Sequence, residues 1–187
     1  AASYGGRATG WPVAGGLAVS TNGSKKNLTS LAFSRDGKML ATSGLGDEIS
    51  LWSFPAGERI ETLTGHETAV WGLTFIDGGR TLVSMGYEGT IRFWDVAAWS
   101  ETRVLALSEP DIRGMTFSPD ERTIALMMEG RVQLWSVEDW ALQAELAVDA
   151  KVLSSIAFSP DGRWLATGAA YNRIRIWDSV LIYDVVQ

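Results

Sequence analysis

His66 is the single histidine in the 187 residues and cysteine is absent, so there is little here from which to build a catalytic or metal site. Thiolate ligands, disulfides and cysteine nucleophiles are excluded, and so is a multi-histidine metal centre. A Ser-His-Asp arrangement would have to use His66 itself. Paired carboxylates occur at Asp47-Glu48, Asp120-Glu121 and Glu138-Asp139. Acid-base catalysis needs two carboxyl groups converging on one cleft with altered pKa values. These pairs all fall in turn-like segments, where a carboxylate is ordinarily solvated. The stretch GGLAVSTNGSKK, Gly15 to Lys26, has glycines and lysines without the G-x-x-x-x-G-K-[ST] order of a phosphate loop. Asn22 and Asn27 each open an N-x-[ST] sequon, which matters only in a secreted glycoprotein. On these grounds no catalytic residue, no metal ligand and no cofactor is assigned.

The elements that would position any site are of one kind. Hydrophobic residues make up 46% and charged residues 20%, which fits a folded domain and excludes disorder as the main state. No apolar run approaches the roughly 20 residues of a membrane-spanning helix. The net charge of −6 opposes binding to nucleic acid or anionic lipid through bulk charge. Nine tryptophans and 20 glycines point to a periodic, turn-rich β structure.

The period is explicit. SLAFSRDG, GLTFIDGG, GMTFSPDE and SIAFSPDG place phenylalanines at Phe33, Phe75, Phe117 and Phe158, spaced by 42, 42 and 41 residues. ISLWS, IRFWD, VQLWS and IRIWD place tryptophans at Trp52, Trp94, Trp135 and Trp177, spaced by 42, 41 and 42. Two independent series with one period define a repeat. Each unit reads as four short strands. The first ends at the phenylalanine, an Asp/Gly turn follows, and the second is MLATS, TLVSM, TIALM or WLATG. The third ends at the tryptophan, and RIETL exemplifies the fourth. Phe75 and Trp94 are expected together in the core of one sheet. YGGRATGW, Tyr4 to Trp11, aligns with YEGTIRFW, Tyr87 to Trp94. That predicts a third strand at Ala8–Trp11 and a fourth at Leu17–Thr21.

With unit length, FSPDG turns, Trp94-Asp95, Trp177-Asp178 and Gly65-His66 in view, the chain resembles the WD-repeat (WD40) β-propeller family. The resemblance implies an all-β propeller segment. Residues 1–21 would form a partial blade with third and fourth strands. Residues 22–187 would form four blades, at about 28–63, 70–106, 112–146 and 152–187. It also implies a buried hydrogen-bond set, which the second unit matches with His66, Ser84, Glu88 and Trp94 as structural residues. There Glu stands where the family has Asp. The other units lack the histidine, carry Gly46, Glu129 and Tyr171 at the turn position, and in the third unit Ala125 in place of the hydroxyl. They are expected to depend more on apolar packing.

In a propeller the fourth-to-first and second-to-third strand loops share one face. That assigns Trp71, Tyr87, Arg113, Tyr171, Asn172 and Arg173 as candidate partner-binding residues, and Trp, Tyr and Arg are types enriched in interface hot spots. The alternative is that they are ordinary rim residues. Trp99 and Trp140, five residues after their repeat tryptophans where the first unit has Gly57, are either an apolar patch on the opposite face or cover over their own sheets. The function implied is a non-enzymatic protein-interaction scaffold. Its partners would be proteins and another propeller-forming segment or chain, with no nucleic acid and no membrane span. A sensor segment of a larger signalling protein is the alternative, and an enzyme is less favoured. The ends, falling in mid-unit, are expected to meet β structure from elsewhere rather than each other. Compartment stays open between cytoplasm, slightly favoured, and a processed extracytoplasmic product.

Overall fold

The computed structural model describes residues 7–10, 19–22, 27–107, 112–148, 153–170 and 173–178. They fall into two units, Ala1–Pro110 and Asp111–Gln187. In the first, β1 (Arg7–Gly10) and β2 (Val19–Asn22) form an antiparallel pair. β3 (Leu28–Phe33), β4 (Met39–Gly44), β5 (Ile49–Ser53) and β6 (Arg59–Leu63) form a four-stranded antiparallel sheet in chain order. β7 (Val70–Ile76), β8 (Thr81–Gly86), β9 (Thr90–Asp95) and β10 (Ser100–Ala106) repeat it. In the second unit β11 (Gly114–Phe117), β12 (Thr123–Met128), β13 (Arg131–Ser136) and β14 (Leu142–Ala147) form the same sheet again. β15 (Leu153–Phe158), β16 (Trp164–Ala169) and β17 (Arg173–Asp178) form a three-stranded one. The fold is all-β, built from repeated propeller-type sheets. No helix among the described residues is long and apolar enough to cross a membrane.

The turns explain why the strands reverse where they do. After β3, Ser34 Oγ donates to Asp36 Oδ1 (2.7 Å), Asp36 accepts from the Lys38 amide (3.0 Å), and Ser34 Oγ accepts from the Met39 amide (3.0 Å). The same Ser-x-Asp clamp recurs at Ser118/Asp120 and Ser159/Asp161. It answers local backbone donors with side-chain oxygens. The β7–β8 connection has Ile76 instead of that serine and closes as a 3-10 turn over Asp77–Gly79.

Side-chain burial follows strand position. Central strands such as β8 (TLVSMG) and β12 (TIALMM) are buried on both faces, as strands sandwiched between sheets must be. Outer strands β6 and β10 are polar and exposed. In the first unit Ile49 and Leu51 of one sheet pack with Val70, Leu73, Leu82 and Trp94 of the next. Burying each such aliphatic side chain contributes about 1.5–3 kcal/mol. In the second unit Val132 and Leu134 pack with Leu153 and Leu165 in the same way. Ala8 packs on Leu40 and Trp52.

One expectation needs correction. Trp94 is buried, but Phe75 is only partly so, packed against the same core. Phe33 is exposed. The phenylalanines sit at the ends of first strands beside the turns, where a sheet tapers into solvent, and not in the middle of the packed faces.

Candidate functional site

The first unit is organised at its loop end by a polar frame. His66 is buried in the β6–β7 connection, Ser84 lies on β8, Glu88 in the β8–β9 turn and Trp94 on β9. Trp94 Nε1 donates to Ser84 Oγ at 2.8 Å, and Ser84 Oγ lies 2.7 Å from His66 Nε2. His66 Nδ1 lies 2.5 Å from Glu88 Oε1. Thr68 and Thr90 hydroxyls also donate to Glu88. The ionised Glu88 can only accept, so neutral His66 carries its proton on Nδ1, facing Glu88, and its bare Nε2 accepts from the Ser84 hydroxyl. The chain of donors runs one way, from Trp94 through Ser84 and His66 to Glu88.

The electrostatics agree with a neutral imidazole. Burial pushes the His66 pKa down from 6.5, more than the bond to Glu88 raises it. For Glu88 burial works upward, but bonds from Thr68, Thr90 and His66 outweigh it and hold the carboxyl down at about 2. Ser84-His66-Glu88 has the connectivity of a hydrolytic triad. It cannot act as one, because Ser84 is fully buried and its oxygen is capped by the Trp94 indole. Among the described residues no His/Cys/Asp/Glu group could hold a metal ion.

The other sheets keep more of this frame than the missing histidines suggest. Trp52 Nε1 donates to Thr42 Oγ1 at 3.0 Å. In the third unit Ala125 offers no hydroxyl, and Trp135 Nε1 donates instead to Gln133 Oε1 at 3.1 Å, with Gln133 Nε2 donating to Glu145. Gln133 lies two residues before Trp135 and therefore shares its strand face. The expectation of mainly apolar packing is thus corrected for these sheets. In the last sheet Thr167 Oγ1 and Trp177 Nε1 are buried without a partner among the described residues.

Above the frame, the backbone displays particular side chains. The β7–β8 register shifts between Val70 and Gly72, leaving Trp71 at a bulge. The same irregularity occurs at Thr29 on β3 and Ser154 on β15. A bulge turns its extra residue out of the ladder. Thr29 uses this to bond the Val70 carbonyl, and Ser154 to bond the Gly168 carbonyl. Trp71 instead is 37% exposed. Tyr87, in the β8–β9 turn, is 45% exposed, and Leu45, in the β4–β5 turn, is 46% exposed. Backbone bonds join their three segments: Val70 N–H to Gly46 C=O (3.3 Å) and Tyr87 N–H to Ala69 C=O (2.9 Å).

Of the residues read from sequence, Trp71 and Tyr87 are thereby brought together in the first unit. Leu45 was missed, because in SGLGDE it reads as a turn residue. In the second unit Arg113 precedes β11 and pairs with Glu129 at 3.2 Å, and Arg173 is exposed at the start of β17. Tyr171 and Asn172, like Trp11 of the N-terminal copy, lie outside the described residues. Trp99 and Trp140 belong to separate units. Both are half-buried at positive φ, +52° and +58°, where Gly57 has +75°, and Trp99 packs on the core containing Trp94.

A family model described as "WD domain, G-beta repeat" matches residues 16–53, 57–95 and 145–178, well over half of the chain. The matched stretches leave out 96–144, which contains the sheet where Gln133 replaces the hydroxyl. Over 51 residues the chain is 35% identical to eukaryotic translation initiation factor 3 subunit I of Eremothecium gossypii. That match covers 27% of this chain and 15% of the relative's length.

Proposed function

Because the chain belongs to the WD-repeat family, we propose that it is a non-enzymatic scaffold holding a protein partner on the loop end of its sheets, within a larger propeller or multi-subunit assembly. Trp71 carries the reading. At the equivalent bulges the side chain is a hydroxyl spent on a backbone carbonyl. At Trp71 it is an exposed indole beside Tyr87 and Leu45. Exposed aromatic side chains on a well-tied backbone are the anchors that interfaces use, and the His66 frame beneath them keeps the loops ordered without presenting a nucleophile.

A specific observation supports the larger assembly. Ile174 and Ile176 on β17 are 74% and 65% exposed, whereas Ile49 and Leu51, Ile91 and Phe93, and Val132 and Leu134 occupy the matching positions and are buried. A face so apolar is one that another sheet covers in the complete particle. The translation-factor relative is by its name a subunit of a larger factor, in keeping with such a role.

Photo-crosslinking tests the docking surface. A photoreactive residue at position 71 or 87, in source cells, should crosslink one distinct protein. The same residue at exposed Ile60 on β6 should not. Equal yields at all three positions, or none, would refute the reading.

A further inference from the structure

The open face of the last sheet has a covered counterpart in the same chain. On β15–β17, cross-strand register puts Ser155, Gly168 and Ile174 in one row and Ala157, Ala166 and Ile176 in the next. In the first sheet those rows are Ser30, Ser43 and Ile49, then Ala32, Ala41 and Leu51. There β7, the edge strand of the next sheet, covers them. Its Val70 and Leu73 pack with Ala41, Ile49 and Leu51. Hydroxyls fix the contact: Thr29 and Ser43 donate to the Val70 carbonyl, and the Leu73 amide donates to Ser30 Oγ at 3.1 Å. The last sheet holds the same parts unused. Ser155, at the position of Ser30, is exposed and makes no hydrogen bond among the described residues. Its Oγ lies over Gly168, in the space a Cβ there would take. Ser154, on the bulge that matches Thr29, turns back to the Gly168 carbonyl of its own sheet at 3.3 Å. Ile176 is 65% exposed where Leu51 is fully buried.

A helix bonds its own amides and would give Ser155 no backbone donor. An edge strand has outward N–H and C=O groups to spare, as β7 does. Its aliphatic pair three residues apart recurs where the sheets of the second unit meet: Leu153 and Ile156 of β15 pack with Val132 and Leu134. We infer that the face carrying Ile174 and Ile176 takes an edge strand with two aliphatic side chains three residues apart. The carbonyl of the first accepts from Ser154, and the amide of the second donates to Ser155. In a second copy of this chain such pairs are already engaged. Leu28 and Leu31 of β3 pack with Ala8, those of β7 and β15 meet the third strands just named, and Ile112 before β11 is buried. The occupant is therefore a WD-type sheet of different sequence. The inference rests on the larger-assembly reading above and names the strand that docks and the residues that receive it.

Crosslinking read at residue level tests it. A photoreactive residue at position 176, in source cells, should crosslink to a strand bearing an aliphatic pair three residues apart, as mapped by mass spectrometry. Adding Ser155→Ala should lower the yield about fivefold, the loss expected for one hydrogen bond. In the 187-residue chain alone, Ser155→Ala should leave thermal unfolding unchanged. Ser30→Ala, which strands the Leu73 amide, should lower the midpoint. A crosslink to a segment without that pair, a crosslink to a second copy of this chain, or a yield indifferent to Ser155→Ala would overturn the inference and leave the larger assembly standing. Equal destabilisation of the isolated chain by the two serine variants would mean that Ser155 is already engaged within it, and would overturn the inference too. No crosslink at position 176 above that at position 60 would overturn both.

Discussion

The carboxylate of Glu88 lies so close over the Cα of Gly86 that a Cβ at position 86 would overlap both of its oxygens. From the β8–β9 turn the Glu88 side chain passes back over the end of β8 and is held there by Thr68, Thr90 and His66. Glycine at 86 is therefore what lets a glutamate do the work of the family's shorter aspartate.

Gly86→Ala should push that carboxylate off its donors and cost about 1–3 kcal/mol, the range for stranding a buried polar group. In a Glu88→Ala background the same change should cost much less. A double-mutant cycle by urea unfolding reads the coupling. Equal losses in both backgrounds would detach Gly86 from the frame.

The frame also sets an acid limit. His66 has a folded pKa below its ordinary 6.5, so the unfolded chain takes up that proton more readily and stability falls as pH drops below about 6.5. Glu88 is held at about 2 against an ordinary 4.5, so its contribution is present above 4.5 and is lost between there and 2. Asp36, Asp120 and Asp161 are lowered by the serine two residues earlier and act in the same direction. Stability measured by denaturant titration should decline steadily from pH 7 downward. In His66→Gln the decline between pH 6.5 and 5 should flatten. Rising stability on acidification would contradict the neutral imidazole.

Trp99 sits in the left-handed region at φ +52°, the conformation Gly57 adopts at the matching turn. A Cβ there costs of order 1 kcal/mol, which glycine avoids. Both Trp99→Ala and Trp99→Gly remove the packing on the Trp94 core. Trp99→Gly should nevertheless be the more stable of the two by about 1 kcal/mol, the reverse of the usual order. Calorimetry of the pair decides it. Alanine as the better residue would mean that the turn relaxes once the indole is gone.

The strands and their turns were legible in the sequence because each is local or repeats at a fixed period, and the His66–Ser84–Trp94 bonds were legible only through the resemblance to the WD-repeat family. The Ser-x-Asp clamps are spelled out in SRDG, SPDE and SPDG. Gln133 was also legible in principle, since a polar residue two before Trp135 must share its face, but the hydroxyl was sought only on the second strand. Leu45 was not legible. Its exposure depends on how the β4–β5 turn meets the β7 backbone through Gly46 and Val70, a contact between distant segments. Nor was the openness of Ile174 and Ile176, because IRIWD reads like the buried IRFWD. What differs is how far that face is covered, and a strand's own residues do not encode what packs against it.

That difference supplies the sharpest test. Ile174→Lys and Ile176→Lys place charges on side chains already exposed by more than half. In the chain alone each should change unfolding free energy by no more than about 0.5 kcal/mol, as surface substitutions do. Leu51→Lys, at the position matching Ile176 and fully buried, should abolish folding, because it buries an unpaired ammonium between two sheets. The Ile→Lys variants should then fail to enter the full assembly, seen as loss of co-purification with the partner recovered by crosslinking. If Ile176→Lys unfolds the isolated chain as Leu51→Lys does, the face is covered from within these 187 residues, and the proposed neighbouring sheet is unnecessary.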